Sequence, residues 1–148
     1  MILIDGKKIA AELREELKKE VSDLKAQHNK VPGLTVILIG DLTPSQIYVR
    51  NKEKSANEIG LKSEVIKYPE SIDENTVLNK INELNNDTSV SGILVQLPLP
   101  KQISKQKIIE AISPTKDVDG LHPMNVGNLS SGYQGSIPCT PLGCYLLI

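Results

Sequence analysis

Tyr48 and Lys52 are the two residues whose types and spacing are best suited to chemistry in this sequence. They lie four positions apart on a predicted helix, so they project from the same helix face. A lysine in a partly apolar cleft can have its pKa lowered and serve as an acid or base near neutral pH. A neighbouring tyrosine can stack on a flat ring and donate its hydroxyl. The alternative is a solvated lysine beside a half-buried tyrosine, and the position of the helix in the fold decides between the two.

Gln96 and Asp119 are two further candidates, each with a local alternative. Gln96 is a polar end to an apolar strand, where its amide either bonds to the backbone or orients Lys52 or a ring substituent. Asp119 lies in a turn next to Gly120, where aspartate is common for local reasons. A carboxylate there could also accept two parallel hydrogen bonds from a guanidine-like or amino-heterocycle edge. Asp117 competes for that role, and spacing alone does not separate the two aspartates.

Other kinds of site have little support in the sequence. There is no G-x-G-x-x-G after a strand, no P-loop, no Cys/His metal spacing and no nucleophile elbow. We therefore expect no metal site, and hydride transfer has no recognisable cofactor cradle here. His122, beside Pro123, is predicted to be structural. Cys139 and Cys144 are predicted to be buried or partly buried free thiols rather than metal ligands or a disulfide.

The elements that must position these residues alternate between strand and helix patterns. Apolar, β-branched runs predict strands over 34–40, 62–67 and 91–96, and helical patterns precede, separate and follow them. Short connections between such units predict an α/β fold, a three-layer α/β/α arrangement with a mainly parallel sheet. Ligands bind outside the carboxyl ends of strands in such sheets. We therefore expect segments 40–48 and 96–100, Tyr68 and the loop 116–120 to share one edge.

Capping signals predict where the helices begin and end. We expect Asp5 to cap the first helix and Ser104 to open a short later one. Gly60 is expected to follow the end of the second helix. Two capping boxes are also predicted, one from Thr43 to Gln46 with Pro44 at the first helical position, and one from Ser71 to Glu74.

The length of 148 residues and the composition favour one globular domain, or one domain plus a short extension. The net charge of −1 removes the electrostatic case for nucleic-acid or polybasic membrane binding. The amino-terminal segment turns charged after four residues and no apolar run approaches a membrane span, so we expect a cytoplasmic protein. The chain has no Phe or Trp and four Tyr, which leaves Tyr48 as the best-placed ring for stacking.

Four motifs in one order resemble a known enzyme family. They are Tyr48–Lys52 followed by Glu58–Gly60, then Gly92–Pro100, Lys116–Gly120, and Pro138–Pro141 with Gly143. Together they cover nearly the whole chain and resemble the bifunctional methylenetetrahydrofolate dehydrogenase/methenyltetrahydrofolate cyclohydrolase family. That family oxidises methylene-tetrahydrofolate with NADP and hydrolyses the methenyl product to formyl-tetrahydrofolate.

The resemblance implies a role for each candidate residue. Tyr48 is similar to the family's ring-stacking substrate tyrosine, and Lys52 to its catalytic lysine. Gln96 is similar to the glutamine that supports this lysine, and Asp119 to the carboxylate that holds the amino edge of the pterin. The resemblance also implies a folate substrate and a homodimer.

The same resemblance divides the chain. Residues 1–137 would form the substrate-binding catalytic domain, and 138–148 would begin the helix connecting it to a nucleotide-binding domain that this chain lacks. NADP would then have no binding residues in this chain, which could not carry out the dehydrogenase step unaided. The alternatives are a non-catalytic folate-binding or interaction module, and an unrelated α/β domain whose matches arise by chance.

Overall fold

Three parallel strands form the central sheet in a computed structural model that describes residues 4–148. They are β1 (Gly33–Ile39), β2 (Lys62–Tyr68) and β3 (Gly92–Val95), in the spatial order β2-β1-β3. Val36 in the centre of β1 pairs with Val65 on one side and Leu94 on the other. The predicted parallel sheet is confirmed, and each strand lies within two residues of its predicted bounds. Residues 1–3 of the predicted first domain lie outside the described part of the chain.

Helices connect the strands and continue beyond β3. They are α1 (Gly6–His28), α2 (Thr43–Glu58), α3 (Glu74–Asn86), α4 (Lys105–Ala111), α5 (Pro123–Ser130) and α6 (Cys139–Leu146). None of these helices, which are those of residues 4–148, is long and apolar enough to cross a membrane.

The core lies on both faces of β1, because successive strand residues point to opposite faces. Ile37 and Ile39 pack in one cluster with buried residues of α3 and α4, namely Val77, Ile81, Leu84 and Ile108. Val36 and Leu38 pack in a second cluster with Val49 of α2 and Leu94 of β3. Helices on both faces of a parallel sheet confirm the predicted three layers.

The helix ends follow the predicted caps at three places. Asp5 caps α1 by accepting hydrogen bonds from the backbone N–H groups of Lys7 and Lys8, each at 3.1 Å. Ser104 caps α4. Gly60 follows α2 with φ +88°, a left-handed conformation that glycine adopts without strain.

Both predicted capping boxes are wrong. Thr43 is already helical, the cap position falls on Leu42 without a side-chain bond, and the Gln46 amide donates to the Asp41 carbonyl. At α3 the cap is Asp73 rather than Ser71, because the chain becomes helical only at Glu74 and the Asp73 carboxylate accepts from the Thr76 N–H. In both helices the residue at which the backbone becomes helical differs from the one that the capping signal indicated, and this decides which residue occupies the cap position.

The segment after α4 returns to the sheet. The Ile93 N–H of β3 donates to the Lys116 carbonyl at 2.8 Å, and Asp117 forms a single parallel bridge with Ile93. The loop 116–120 is therefore attached to the free edge of β3.

The two cysteines lie on α6, at the surface. Cys139 and Cys144 are free thiols as predicted, but both are exposed, so their predicted burial is wrong. The reason is that α6 buries none of its residues against the rest of the described chain.

Candidate functional site

Lys52 and Gln96 meet where α2 passes the end of β3. The Lys52 ammonium donates a hydrogen bond from Nζ to Gln96 Oε1 at 3.3 Å, and both side chains are half-buried. The amide nitrogen of Gln96 donates to the carbonyl of Leu97 at 2.8 Å. Because that second bond fixes the orientation of the amide, the carbonyl oxygen of Gln96 faces the lysine. The predicted role of Gln96 as an amide that orients Lys52 has the geometry it needs.

Asp119 lies near enough to the same lysine for the two charges to interact. Burial raises the pKa of the Asp119 carboxyl above its ordinary value, and the negative charge of Asp117 adds to this, whereas the positive charge of Lys52 opposes it. The structure therefore brings Lys52, Gln96 and Asp119 together from three separate segments. A half-buried carboxylate without a full hydration shell gains much from donors that a ligand brings.

Tyr48 lies one helical turn before Lys52 on α2, and 63% of it is exposed. The inward face of the helix is formed by Ser45, Val49 and Ala56, which are buried. The ring of Tyr48 is thus outside the core and free to stack on a planar ligand held beside Lys52.

The structure separates the two aspartates that spacing left equivalent. Asp117 is only 3% exposed, and its Oδ2 accepts hydrogen bonds from the His122 backbone N–H at 2.8 Å and from Asn125 Nδ2 at 3.0 Å. Its carboxylate is committed to protein partners. Asp119, on the other side of Val118, is half-buried and remains the candidate for binding a ligand.

His122 has the structural role that was predicted for it. Its Nδ1 accepts a hydrogen bond from the Met124 N–H at 3.0 Å and so caps α5. Asn125 on that helix was missed by the sequence reasoning. It is 4% exposed and bonds to Asp117, and the only signal was a polar residue in a segment otherwise short of charge.

A separate hollow of about 400 Å³ lies at the carboxyl edge of the sheet. Its lining includes Gly40, Glu70 and Lys101, and none of the four predicted site residues borders it. The candidate site is therefore defined by contacts between side chains rather than by a deep cavity.

A dinucleotide would bind at the turn from β1 into α2 in many α/β folds. Here that turn contains one glycine, Gly40, followed by the exposed carboxylate of Asp41. The turn from β1 into α2 thus does not have the composition of a glycine-rich phosphate cradle.

Comparison with protein families finds one match over most of the chain. Residues 4–119 match the model described as tetrahydrofolate dehydrogenase/cyclohydrolase, catalytic domain. The matched region contains Tyr48, Lys52, Gln96 and Asp119.

Curated relatives match along the whole chain. The bifunctional protein FolD of Pelagibacter ubique is 77% identical over 148 residues, which are 100% of this chain and 53% of that protein. The protein of the same name from a Staphylococcus epidermidis strain is 55% identical over 141 residues, or 95% of this chain and 49% of that protein. The chain therefore spans about half the length of the curated relatives that it matches.

Solved structures of related enzymes contain a region with the same fold as this chain. The bifunctional enzyme FolD, methylenetetrahydrofolate dehydrogenase/cyclohydrolase, from Campylobacter jejuni matches with a TM-score of 0.96 and 50% identity, over 99% of this chain and 52% of that one. The Trypanosoma brucei methylenetetrahydrofolate dehydrogenase-cyclohydrolase, complexed with NADP and an inhibitor, matches with a TM-score of 0.90 and 34% identity, over 94% of this chain and 48% of that one. The chain belongs to the tetrahydrofolate dehydrogenase/cyclohydrolase family, as a catalytic domain of that family.

Proposed function

We propose that this chain provides the folate site of an enzyme that oxidises methylene-tetrahydrofolate with NADP and hydrolyses the methenyl product to formyl-tetrahydrofolate. The observation that carries the proposal is the hydrogen bond from Lys52 to Gln96 beside the half-buried Asp119. The family and its relatives supply the identity of the substrate.

Asp119 and Tyr48 would hold the substrate. A pterin presents an amino group and a ring N–H side by side, and one carboxylate can accept a hydrogen bond from each. The exposed ring of Tyr48 would stack on the planar part of the folate. These two contacts would place the one-carbon bridge next to Lys52.

Lys52 would move protons during hydrolysis. Water adds to the methenyl carbon and loses one proton, which gives a neutral ring-hydroxylated adduct. That first proton passes to solvent water. The bond from the carbon to one of its two nitrogens then breaks, the hydroxyl loses its proton and becomes the formyl carbonyl, and the released nitrogen takes a proton. The Lys52 ammonium can deliver a proton to that nitrogen, directly or through water, and regain one from the hydroxyl.

The use of NADP is inferred from a relative, the Trypanosoma brucei enzyme complexed with NADP. When bound, NADP would supply the acceptor for the hydride that leaves the methylene carbon. Because the turn from β1 into α2 does not fit a dinucleotide cradle, we infer that NADP would be held by the part of the longer relatives that this chain does not span. The contribution of this chain to that step is to orient the methylene bridge.

The test is to join this chain to the remaining part of the Pelagibacter ubique relative and to compare Lys52→Met with Lys54→Met. Lys54 lies two positions further along α2, is 75% exposed at its side chain and is paired with Glu58. We expect hydrolysis of methenyl-tetrahydrofolate, followed by absorbance without nicotinamide, to fall at least about 100-fold in Lys52→Met and to be unchanged in Lys54→Met. Folate affinity should change little in either variant.

Two outcomes would contradict the proposal. Undiminished hydrolysis in Lys52→Met would remove the lysine from the mechanism. Folate binding without hydrolysis in the unsubstituted fusion would instead identify the chain as a non-catalytic folate-binding module.

We also propose that residues 138–148 begin a connecting helix and that the protein is a homodimer. Sedimentation of the fusion tests the dimer. Proteolysis that cuts the fusion beyond residue 137 and leaves the first part folded would support the boundary.

A further inference from the structure

Asp117 and Asn125 form a buried polar pair behind the loop that carries Asp119. Asp117 is 3% exposed and Asn125 is 4% exposed, and they are joined by the bond from Asn125 Nδ2 to Asp117 Oδ2 at 3.0 Å. Burying a carboxylate and an amide is costly unless both are well bonded.

The pair closes the loop around Asp119. The Oδ2 atom that accepts from Asn125 also accepts from the His122 N–H at 2.8 Å, five residues after Asp117. The side chain of Asp117 therefore forms a hydrogen bond across the turn between Asp117 and His122, and Asp119 lies within that turn. The Asp117 N–H donates to the Ser113 carbonyl, so the beginning of the turn is fixed as well.

Asn125 also forms a hydrogen bond to the segment that precedes the loop. Its Nδ2 also donates to the Pro114 carbonyl at 2.9 Å. One amide of α5 thus holds the segment before the loop and the carboxylate within it. Loss of that amide would remove one hydrogen bond from each of them, while the bonds of Asp117 to His122 and Ser113 would remain.

We propose that Asp117 and Asn125 are positioning residues for the folate reaction, because they fix the loop that presents Asp119 to the substrate. The inference rests on the proposed function, in which Asp119 binds the pterin. Neither residue touches the substrate, and both act through Asp119. The negative charge of Asp117 also raises the pKa of the Asp119 carboxyl, which gives the pair a second measurable effect.

The test is a double-mutant cycle in the fusion protein between Asn125→Leu and Asp119→Asn. Leucine has the same branched arrangement of four side-chain heavy atoms as asparagine but no polar atom, so it removes both hydrogen bonds without leaving a void. We expect Asn125→Leu alone to weaken binding of methenyl-tetrahydrofolate about 10-fold. In the Asp119→Asn background the same substitution should change affinity less than about twofold, since the group that it positions is gone.

Equal losses of affinity in both backgrounds would overturn the proposal, because they would show a general structural effect. Thermal unfolding of each variant establishes that the measurements are made on folded protein. If Asn125→Leu does not fold, Asn125→Ala, which leaves room for a water, replaces it in the same cycle with the same expectations.

Asp117→Asn provides a conservative variant and a pH readout. Its remaining carbonyl oxygen can still accept from His122 and Asn125, so folate affinity at neutral pH should stay within about threefold of the unsubstituted protein. Removal of the neighbouring negative charge should lower the pKa of the Asp119 carboxyl, so the pH below which folate affinity falls should also be lower. An unchanged pH dependence of folate affinity together with a loss of affinity of about 10-fold would contradict the positioning role of Asp117.

The single variant Asp119→Asn separates this inference from the proposed function. If Asp119→Asn leaves folate affinity unchanged, the proposed binding role of Asp119 fails, and the positioning role fails with it. If Asp119→Asn weakens binding but the cycle is additive, only the positioning role fails.

Discussion

Lys52 and Gln96 are 44 positions apart in the chain, yet Nζ of the lysine lies 3.3 Å from Oε1 of the glutamine. The contact joins the middle of α2 to the residue that follows β3. Because the Gln96 amide nitrogen donates a hydrogen bond to the Leu97 carbonyl, the orientation of the amide that accepts from Lys52 is fixed. Positioning of this kind is a large part of what a protein contributes to catalysis.

Gln96→Leu should lower the turnover number for methenyl-tetrahydrofolate hydrolysis about 10- to 100-fold, because Lys52 loses the acceptor that orients it. The KM should change less, since the proposed binding contacts come from Tyr48 and Asp119. Steady-state kinetics of the fusion protein check both values. Gln134→Leu, at an exposed position outside the site, is the matched control and should behave as the unsubstituted protein. A rise in KM with an unchanged turnover number would instead place Gln96 in substrate binding.

Tyr48→Ala should weaken folate binding about 3- to 10-fold, which is the loss of one aromatic stacking contact. Tyr48→Phe should keep most of the affinity, because the ring is retained. The protein should not be destabilised, since the side chain is 63% exposed. Equilibrium binding measured by quenching or calorimetry checks the affinities. Tyr133→Ala, where the tyrosine is 72% exposed and outside the site, is the control. Equal losses for Ala and Phe would show that the hydroxyl, not the ring, makes the contact.

Asp119→Asn should stabilise the folded chain at neutral pH. The pKa of the Asp119 carboxyl is raised above its ordinary value of 3.8, chiefly by burial, so the folded state binds more protons than the unfolded state between the two values. The free energy of unfolding therefore falls as the pH rises through that interval. The gain from Asn should be absent below pH 3.8 and complete above the folded-state pKa.

The size of that gain should be about 1 kcal/mol or less, because the carboxylate is only half-buried and solvent screens it. Urea unfolding of the chain at several pH values measures it. Asp41→Asn, which changes an exposed carboxylate at the same edge of the sheet, is the control. A gain that persists unchanged below pH 3.8 would show that the effect does not come from the ionisation of Asp119.

The sheet could be predicted from the sequence because its signals are local and strong. A run such as 34–40 is apolar on both faces of the strand, and the face of α3 formed by Val77, Ile81 and Leu84 has helical spacing. All three of those residues are buried. The rule that ligands bind at the carboxyl ends of parallel strands then selected the segments of the candidate site.

The rest depended on contacts between distant segments. Asp117 and Asp119 have the same type and nearly the same position, and only the packing of α5 against the loop makes one of them a structural residue. The caps predicted at Thr43 and Ser71 were wrong for a related reason. The cap position depends on where the backbone becomes helical, at Thr43 itself in α2 and at Glu74 in α3, and short capping signals do not fix that residue.

Gly120→Ala should destabilise the protein and weaken folate binding, because the loop that carries Asp119 packs closely against the segment leading to α6. Gly120 has φ +65°, and a Cβ there would lie 2.6 Å from the Ser136 carbonyl oxygen and 2.9 Å from the Pro138 nitrogen. Strain in the left-handed region and the clash with backbone together should cost about 2 kcal/mol or more. Urea unfolding and folate affinity measure the two effects.

Gly127→Ala is the matched control for Gly120→Ala. Gly127 lies within α5, and a Cβ there would meet nothing within 4 Å. Alanine is the better helix former, so this variant should be stabilised by about 0.5–1 kcal/mol with unchanged folate affinity. A Gly120→Ala variant that is destabilised but binds folate normally would show that the loop yields without moving Asp119. One that is as stable as the unsubstituted protein would show that the segment 136–138 moves aside.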